Sequence, residues 1–503
     1  MKRLQIPAEV EPFLSDASNF HGRAEGVVFP ETEKDAANFL RECHEDKTPL
    51  TISGYGTGLT GARVPLGGWV LAMHAMQAID VRPAGGPGAP ARAVLGPGAQ
   101  LKDLHAAAAA HGFFYPPDPT SILSFIGGNV ATNASGSRAF KYGVTRDHIL
   151  RLRVVLADGS VTDVRRGEIF ADPSGRLRIP VKTREGAAQD RVCCLPSYTV
   201  PAIKHSAGYY VKPGMDAIDL FIGSEGTLGV VTEIEVNLLP VPAKILSFIV
   251  FFSSEADAWS FTQEACARSR HARASRNDAL IQSRSFEYLD AGSLDLVRAK
   301  YPDIPASARA AVYLEQECQP ETEDWMLDQW NILFEKHNAP LEDFWFADDE
   351  AGQQRFKAFR HQVPLEVKAL LIASGQTKVG TDYAVPERHF QAMREYERRR
   401  LEEAGLQSLA FGHMADCHLH LNILPKNAEE HAKAWRLYGE LMAKALELGG
   451  TIAAEHGVGK MKTGFLRQMF GEQAIREMAD LKMALDPHGI LGRGTLFPET
   501  LLA

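Results

Sequence analysis

The sequence predicts an α+β protein made of two domains and a helical C-terminal segment. Three observations carry this. The chain has 503 residues, more than one hydrophobic core usually serves. After Pro240 short strands and glycine-rich turns give way to long polar helices separated by isolated strands such as ILSFIVFF and AAVYLEQE. Finally, NAEEHAKAWRLYGELMAKALELGG reads as a helix from near Asn427 to a stop at Gly449–Gly450, and it sets off the end of the chain. The expected divisions are 1–242, 243–425 and 426–503.

In the first division, Thr32 is placed to cap a helix whose apolar residues Ala36, Ala37, Phe39, Leu40 and Cys43 share one face. PLTIS (49–53) reads as a strand leading into the loop GYGTGLTGA, and WVLAM and RAVLG read as further strands. GGPGAP at 85–90 reads as a turn or surface loop, and AQLKDLHAAAAAHG as a helix closed by Gly112.

The loop GTGLTG fits the pattern GxGxxG through Gly56, Gly58 and Gly61, with the acid Asp80 at about the dinucleotide-binding distance. A Rossmann reading is rejected, because that fingerprint needs a helix starting inside the loop. Here ARVPLGG follows, with Pro65 and two more glycines. Consecutive backbone N–H groups still make such a loop a cradle for phosphate without any helix; alone, it is equally well explained as a structural turn. A second segment, PPDPTSILSFIGGNVATNASGSRAFKYG (116–143), is rich in Gly, Asn, Ser and Pro with almost no charge before Arg138. So long an uncharged surface loop is unusual, and a chain wrapped round a large, partly phosphorylated ligand has this composition. A third, DLFIGSEGTLGVVTEIEV, sets Gly223, Ser224, Gly226 and Gly229 before a β-branched strand.

The net charge of −9, with both signs spread along the chain, argues against a nucleic-acid binder. No run approaches eighteen apolar residues, so no transmembrane helix is expected. The start MKRLQIPAEVEPFLSD lacks the apolar core and cleavage site of a signal peptide. The six cysteines lack CxxC or ferredoxin spacing, which argues against an iron–sulfur cluster and for reduced thiols in the cytoplasm.

FGHMADCHLHLN runs from Phe411 to Asn422. His418, His420 and Asn422 alternate with Leu419, Leu421 and Ile423, as in a strand with one polar and one apolar face. Residue by residue, a solvated or hydrogen-bonded histidine is the commoner meaning; two His and an Asn on one face point modestly to a site.

Taken in order, the three glycine-rich segments resemble the FAD domain of the p-cresol methylhydroxylase (PCMH) and vanillyl-alcohol oxidase superfamily. With the C-terminal motifs the resemblance narrows to the FAD-linked D-2-hydroxy-acid dehydrogenases of the D-lactate, D-2-hydroxyglutarate and glycolate types. It covers about residues 25–500. It implies a two-part PCMH-type FAD domain, a ferredoxin-like α+β substrate (cap) domain, and a helical segment that completes the active site. It assigns Ser53, Gly54, Tyr55, Gly56, Thr57, Gly58, Leu59, Thr60 and Gly61 to the FAD pyrophosphate. Pro117, Asp118, Ser124, Gly127, Gly128, Asn129 and Ala131 would line the flavin and its ribityl chain. Tyr142, Gly143, Glu225, Gly226, Gly229 and Val230 would close over it. Ser135 stands where the family has a second glycine. Tyr55, and neither His nor Cys, occupies the stretch where some members attach the cofactor, so non-covalent FAD is expected.

FGHMADCHLHLN resembles the family pattern FGHxGDGNxHxN, which makes His413 and His420 ligands of a divalent metal, zinc being expected. Asp416 would occupy the turn between them, Asn422 would reach the substrate, and Glu455 of TIAAEHGVGK would be the third ligand. His456 matches the active-site base. The departures are Ala415, Cys417 and His418, where the family has Gly, Gly and Asn. By strand alternation Cys417 is read as packing, and His418 either adds a ligand or replaces an Asn hydrogen bond. FKAFRHQVP yields Arg360 as the partner of the substrate carboxylate. TKVGTDYAVP yields Lys378 as a second carboxylate contact, a few residues further on than the family spacing.

The reaction implied is oxidation of a D-2-hydroxy acid to the 2-oxo acid, with hydride transfer to flavin N5. The electron acceptor would be a quinone, a cytochrome, an electron-transfer flavoprotein or an iron–sulfur partner subunit. The protein would be cytoplasmic or peripheral to the membrane, and a homodimer is compatible with the resemblance. Two other readings stay open: a non-redox transferase like the alkylglycerone-phosphate synthases, and a flavin-free metallohydrolase built on His413, His420 and Glu455.

Overall fold

The helix expected after Thr32 spans Glu33–Glu45 in the computed structural model, which describes residues 1–83, 91–277, 280–339 and 343–502. The stretch GGPGAP therefore lies outside the described residues. Thr32 Oγ1 accepts the Asp35 N–H at 3.1 Å, and the Asp35 carboxylate accepts the Thr32 N–H at 3.1 Å. This reciprocal cap satisfies two otherwise unpaired donors of the first turn. The buried face is Ala36, Ala37, Phe39, Leu40 and Cys43, which packs on Val28, Leu50 and Leu71 of a small sheet. In lateral order that sheet runs Lys2–Leu4, Gly26–Phe29, Trp69–Ala72 and Leu50–Ser53. No helix intervenes between Leu50–Ser53 and Trp69–Ala72, as the Rossmann rejection required. Gly68 shows why glycine ends this loop: its φ is +64°, and a Cβ there would lie 2.0 Å from the Pro49 carbonyl oxygen.

An eight-stranded sheet follows. In lateral order its strands are Ala188–Cys194, Arg176–Lys182, Val161–Arg165, Ile149–Val155, Val230–Pro240, Ala91–Leu95 and Ile79–Arg82, with Phe113–Phe114 also pairing Val230–Pro240. The uncharged segment 116–143 is not all loop: it forms helices at Ile126–Thr132 and Ala139–Tyr142. Burial of Ile126 and Val130 overrides the weak helix propensity of Gly127 and Gly128.

A seven-stranded antiparallel sheet forms the second region, in the order Trp345–Ala347, Lys244–Phe252, Ala310–Cys318, Ser283–Asp290, Ser408–His413, His418–Ile423 and Val379–Gly380. Strand Lys244–Phe252 is apolar on both faces because both are covered. Phe248 and Phe252 pack against Phe261, Trp330 and Phe334, while Ile249 and Phe251 join Phe356 and Phe359 of helix Glu350–Ser374. Each aromatic side chain buried in this way contributes roughly 2–3 kcal/mol.

Asn427 caps helix Ala428–Glu447, accepting the Glu430 N–H at 2.9 Å. Gly449, at φ +75°, ends it where expected. The chain then returns to the first region: Leu50 N–H bonds the Ile490 carbonyl at 2.8 Å, and Val458 and Gly459 donate to Glu225 at 2.8 Å each. This return carries residues 451–460 to the junction of the two sheet systems.

Candidate active site

Loop residues 54–58, 60, 62 and 63, helix Ile126–Thr132 and the turn 224–229 wall a cleft of about 1030 Å³ that opens to solvent. Gly54, Tyr55, Gly56, Thr57, Gly58 and Thr60 line it, as do Ser124, Gly127, Gly128, Asn129, Ala131, Glu225, Gly226 and Gly229. Ser124 Oγ and Asn129 Nδ2 are buried with no hydrogen-bond partner among the described residues. Such a group costs about 1–3 kcal/mol when left unpaired. Two of them on one glycine-lined wall fit a large polar ligand, so the residues present fit FAD.

Several residues assigned to this cleft lie elsewhere. Leu59 faces the neighbouring cavities. Ser53 is fully buried and donates from Oγ to the Gly54 carbonyl at 3.1 Å, while Gly61 N–H donates to Asp16 Oδ2 at 3.1 Å. Pro117 is buried, and Asp118 pairs with Arg138 at 3.3 Å. Tyr142 bonds Glu317, and Gly143 ends the short helix before it at φ +82°. Val230 is buried in the core, and strand alternation gives the cleft its neighbour Val231 instead. Glu225 reaches the wall, but its carboxylate is taken by the Val458 and Gly459 N–H groups.

The histidine motif is a hairpin whose turn is a 3-10 turn at Met414–Asp416. Its register pairs His413 with His418, Phe411 with His420 and Leu409 with Asn422. Cross-strand partners share a face, so the three histidines and Asn422 stand together. Cys417 precedes the second strand at φ +51°, so strand alternation does not apply to it; it is nevertheless buried in the core.

Glu455 arrives from the returning chain. Its Oε1 is 3.1 Å from His413 Nε2 and its Oε2 3.7 Å from His420 Nε2. Ligand atoms of His413, His418, His420 and Glu455 all lie within 4.8 Å of one another. Imidazoles and one carboxylate gathered in this way fit a divalent transition metal. Lys204 Nζ at 2.5 Å and Ser135 Oγ at 2.7 Å also hold Glu455 Oε1.

Two further carboxylates organise the cluster, and neither was singled out in the sequence. Glu287 accepts from His413 Nδ1 at 2.5 Å and from Arg360 Nε at 2.8 Å. Asp382 accepts the N–H groups of Glu455 and His456 at 3.2 and 3.1 Å and Lys462 Nζ at 2.7 Å. It also lies 3.4 Å from His456 Nδ1. Burial lowers the pKa of His413, but Glu287 and Glu455 outweigh it and hold the ring up at about 9. Burial also works against the Glu287 charge, yet His413 and Arg360 bring its pKa down to about 2. For His456 burial wins over Asp382 and pulls the ring down to about 4.

Two cavities open from the cluster. One, of about 1120 Å³, is lined by Arg360, Lys378, Phe411, His420, Glu455 and His456 together with Thr57 and Leu59. The other, of about 870 Å³, is lined by Lys378, Asp382, His420, Asn422, Trp435, Tyr438 and His456. The Arg360 guanidinium lies 4.8 Å from the centre of the Phe411 ring. Asn422 donates to the His420 carbonyl at 2.8 Å, while its buried Oδ1 has no partner among the described residues. Among the described residues, His456 alone lines the glycine-walled cleft and both of these cavities.

Comparison with known proteins bears on the fold and the cofactor. A family described as FAD binding domain matches residues 24–165, and one described as FAD linked oxidases, C-terminal domain, matches residues 259–496. The glycolate oxidase subunit GlcD of Bacillus subtilis (strain 168) is 30% identical over 95% of this chain and 90% of its own length. The chain belongs to the FAD-linked oxidases. A D-lactate dehydrogenase of Anaerostipes hadrus is 27% identical to this FAD-linked oxidase over 98% of this chain and 94% of its own. A solved structure of p-cresol methylhydroxylase with substrate bound superposes with a TM-score of 0.70 at 18% identity, covering 99% of this chain and 94% of that one. The fold is therefore the PCMH-type FAD-binding fold in an α+β chain. This FAD-linked oxidase is an oxidoreductase of the D-lactate/glycolate dehydrogenase type. No described helix is long and apolar enough to cross a membrane.

Proposed function

We propose that this FAD-linked oxidase converts a D-2-hydroxy acid of the D-lactate, D-2-hydroxyglutarate or glycolate type to the 2-oxo acid, with His413, His420 and Glu455 holding a divalent ion and His456 as the base. The observation that carries the reading is the position of His456, on the wall shared by the FAD cleft and the two cavities of the metal-donor cluster. Bound FAD supplies a two-electron acceptor and a bound divalent ion, zinc in the first instance, supplies a Lewis acid. The side chains do the rest. Arg360, with Nε held by Glu287, keeps its terminal nitrogens for the substrate carboxylate. His456, neutral at pH 7 because burial depresses its pKa, takes the hydroxyl proton. Lys378 and Asn422 offer contacts to a second polar group on the substrate.

The other two readings are less well supported. An alkylglycerone-phosphate synthase-like transferase would carry a His-rich run where this chain has Ala454, Glu455 and His456. A flavin-free metallohydrolase leaves the glycine-walled cleft without a role. Anaerobic mixing with D-lactate, D-2-hydroxyglutarate and glycolate tests the proposal: at least one should bleach the flavin, and bleaching by none refutes it.

Two predictions belong here. The loop from Ser53 to Gly61, where a tether to FAD is expected, holds neither His nor Cys. FAD should therefore stay in the supernatant when the protein is precipitated with trichloroacetic acid; flavin in the washed pellet would show a covalent link. Arg360→Ala should raise KM for every 2-hydroxy acid about 10-fold or more, with FAD retained, because a charge-assisted pair to a carboxylate is hard to replace. A KM within a factor of about two of wild type at unchanged kcat would leave Arg360 only its tie to Glu287.

A further inference from the structure

We infer that His418 is a fourth protein ligand of the metal site, so that the ion sits among three imidazoles and one carboxylate. The inference rests on the proposed metal site and extends it with a residue that departs from the family pattern, where Asn stands at this position.

His418 is fully buried. The hairpin register sets it directly opposite His413, and its ring centre lies 5.5 Å from that of His413 and 4.6 Å from that of His420. It joins His413, His420 and Glu455 in the set whose ligand atoms all fall within 4.8 Å of one another. Its Nε2 is 3.3 Å from Asp382 Oδ1. Both of its ring nitrogens are buried with no hydrogen-bond partner among the described residues, the approach of Nε2 to Asp382 lying outside hydrogen-bond geometry. Buried polar atoms are nearly always paired, and a ring that merely replaced an Asn hydrogen bond would have found a partner for one of the two nitrogens. An ion within the cluster provides it.

Asp382 then acts as the outer partner. Its carboxylate, 3.3 Å from Nε2, is the group in place to orient the ring toward the cluster. A second group, Asp382, His420 and His456, also converges within 4.8 Å. It is a poorer nest, because Lys462 and the N–H groups of Glu455 and His456 already occupy the Asp382 carboxylate. The fourth donor has a consequence for the substrate. With four protein donors a bound zinc ion would have at most one position left for the substrate, and the substrate carboxylate would fall to Arg360.

X-ray absorption on the zinc-loaded holoprotein tests this directly. Three imidazoles in the wild type and two in His418→Asn are expected, with zinc affinity in His418→Asn, measured by chelator competition, falling about 10- to 100-fold at unchanged FAD content. Two imidazoles in the wild type, or equal affinity in the two proteins, overturns the role of His418 and leaves the His413, His420 and Glu455 site standing. A wild-type protein that binds neither zinc, manganese nor cobalt overturns the metal site itself, and this inference with it. If His418→Asn does not fold, the imidazole count in the wild type decides the matter alone.

Discussion

His456→Ala is expected to keep both FAD and metal while slowing flavin reduction by about 100-fold or more, the usual contribution of a positioned general base. Three features single this side chain out. It lines the FAD cleft and both cavities of the cluster. Its ring stacks on His420 at 5.3 Å with an interplanar angle of 15°, which sets its plane against a proposed metal ligand. Burial draws its pKa down to about 4 despite Asp382. A base whose folded pKa is depressed stays neutral until the pH falls to about that value. The wild-type reduction rate should therefore hold level on the acid side to about pH 5, where a histidine of ordinary pKa would already be mostly protonated. Neighbouring Glu455 points instead at His413 and His420, so the alanine at 456 removes the proposed base and spares the proposed ligand. Stopped-flow bleaching of the flavin, with metal analysis of the same sample, makes the test. A rate within a factor of about three of wild type would mean that another group takes the proton.

What the sequence made legible was mostly local. The helix after Thr32 was predicted down to its buried residues because a cap and a periodicity are written within fourteen consecutive positions. The absence of a helix after GTGLTG followed from Pro65 and its flanking glycines. The hairpin histidines lie within one motif, and resemblance rather than spacing supplied Glu455. Glu287 and Asp382 escaped because their roles are tertiary: Glu287 meets His413 across 126 positions of chain. One signal was available, since Ser283–Asp290 is a strand buried along almost its whole length that nonetheless carries Arg284 and Glu287. Charges in such a run need partners. Asp382 lies inside TKVGTDYAVP, four residues beyond Lys378, where no local pattern marks it. Val230 is buried while its neighbour Val231 lines the cleft, a difference of one step of strand alternation that the sequence before a strand does not fix.

Glu287→Gln is expected to lower stability by about 3–5 kcal/mol, the usual result of breaking a buried ion pair from one side. Glu287 is 2% exposed, with Oε1 on His413 and Oε2 on Arg360. Glutamine matches its shape but replaces one of those oxygens with an N–H donor. Whichever way the amide turns, His413 or Arg360 loses its acceptor. Arg360 cannot shed its proton, so with no carboxylate beside it a buried charge stands uncompensated. His413 loses the partner that orients its ring, and metal affinity should fall about 10- to 100-fold in consequence. Denaturant melts and chelator competition on the FAD-bound protein measure the two losses separately. A stability change under about 1 kcal/mol with full metal retention would show that Glu287 does not couple Arg360 to His413. The double variant Glu287→Gln/Arg360→Ala distinguishes coupling from simple loss of packing. If the stranded guanidinium is what destabilises Glu287→Gln, removing it should restore part of the stability, so that the double variant melts above the sum of the two single effects.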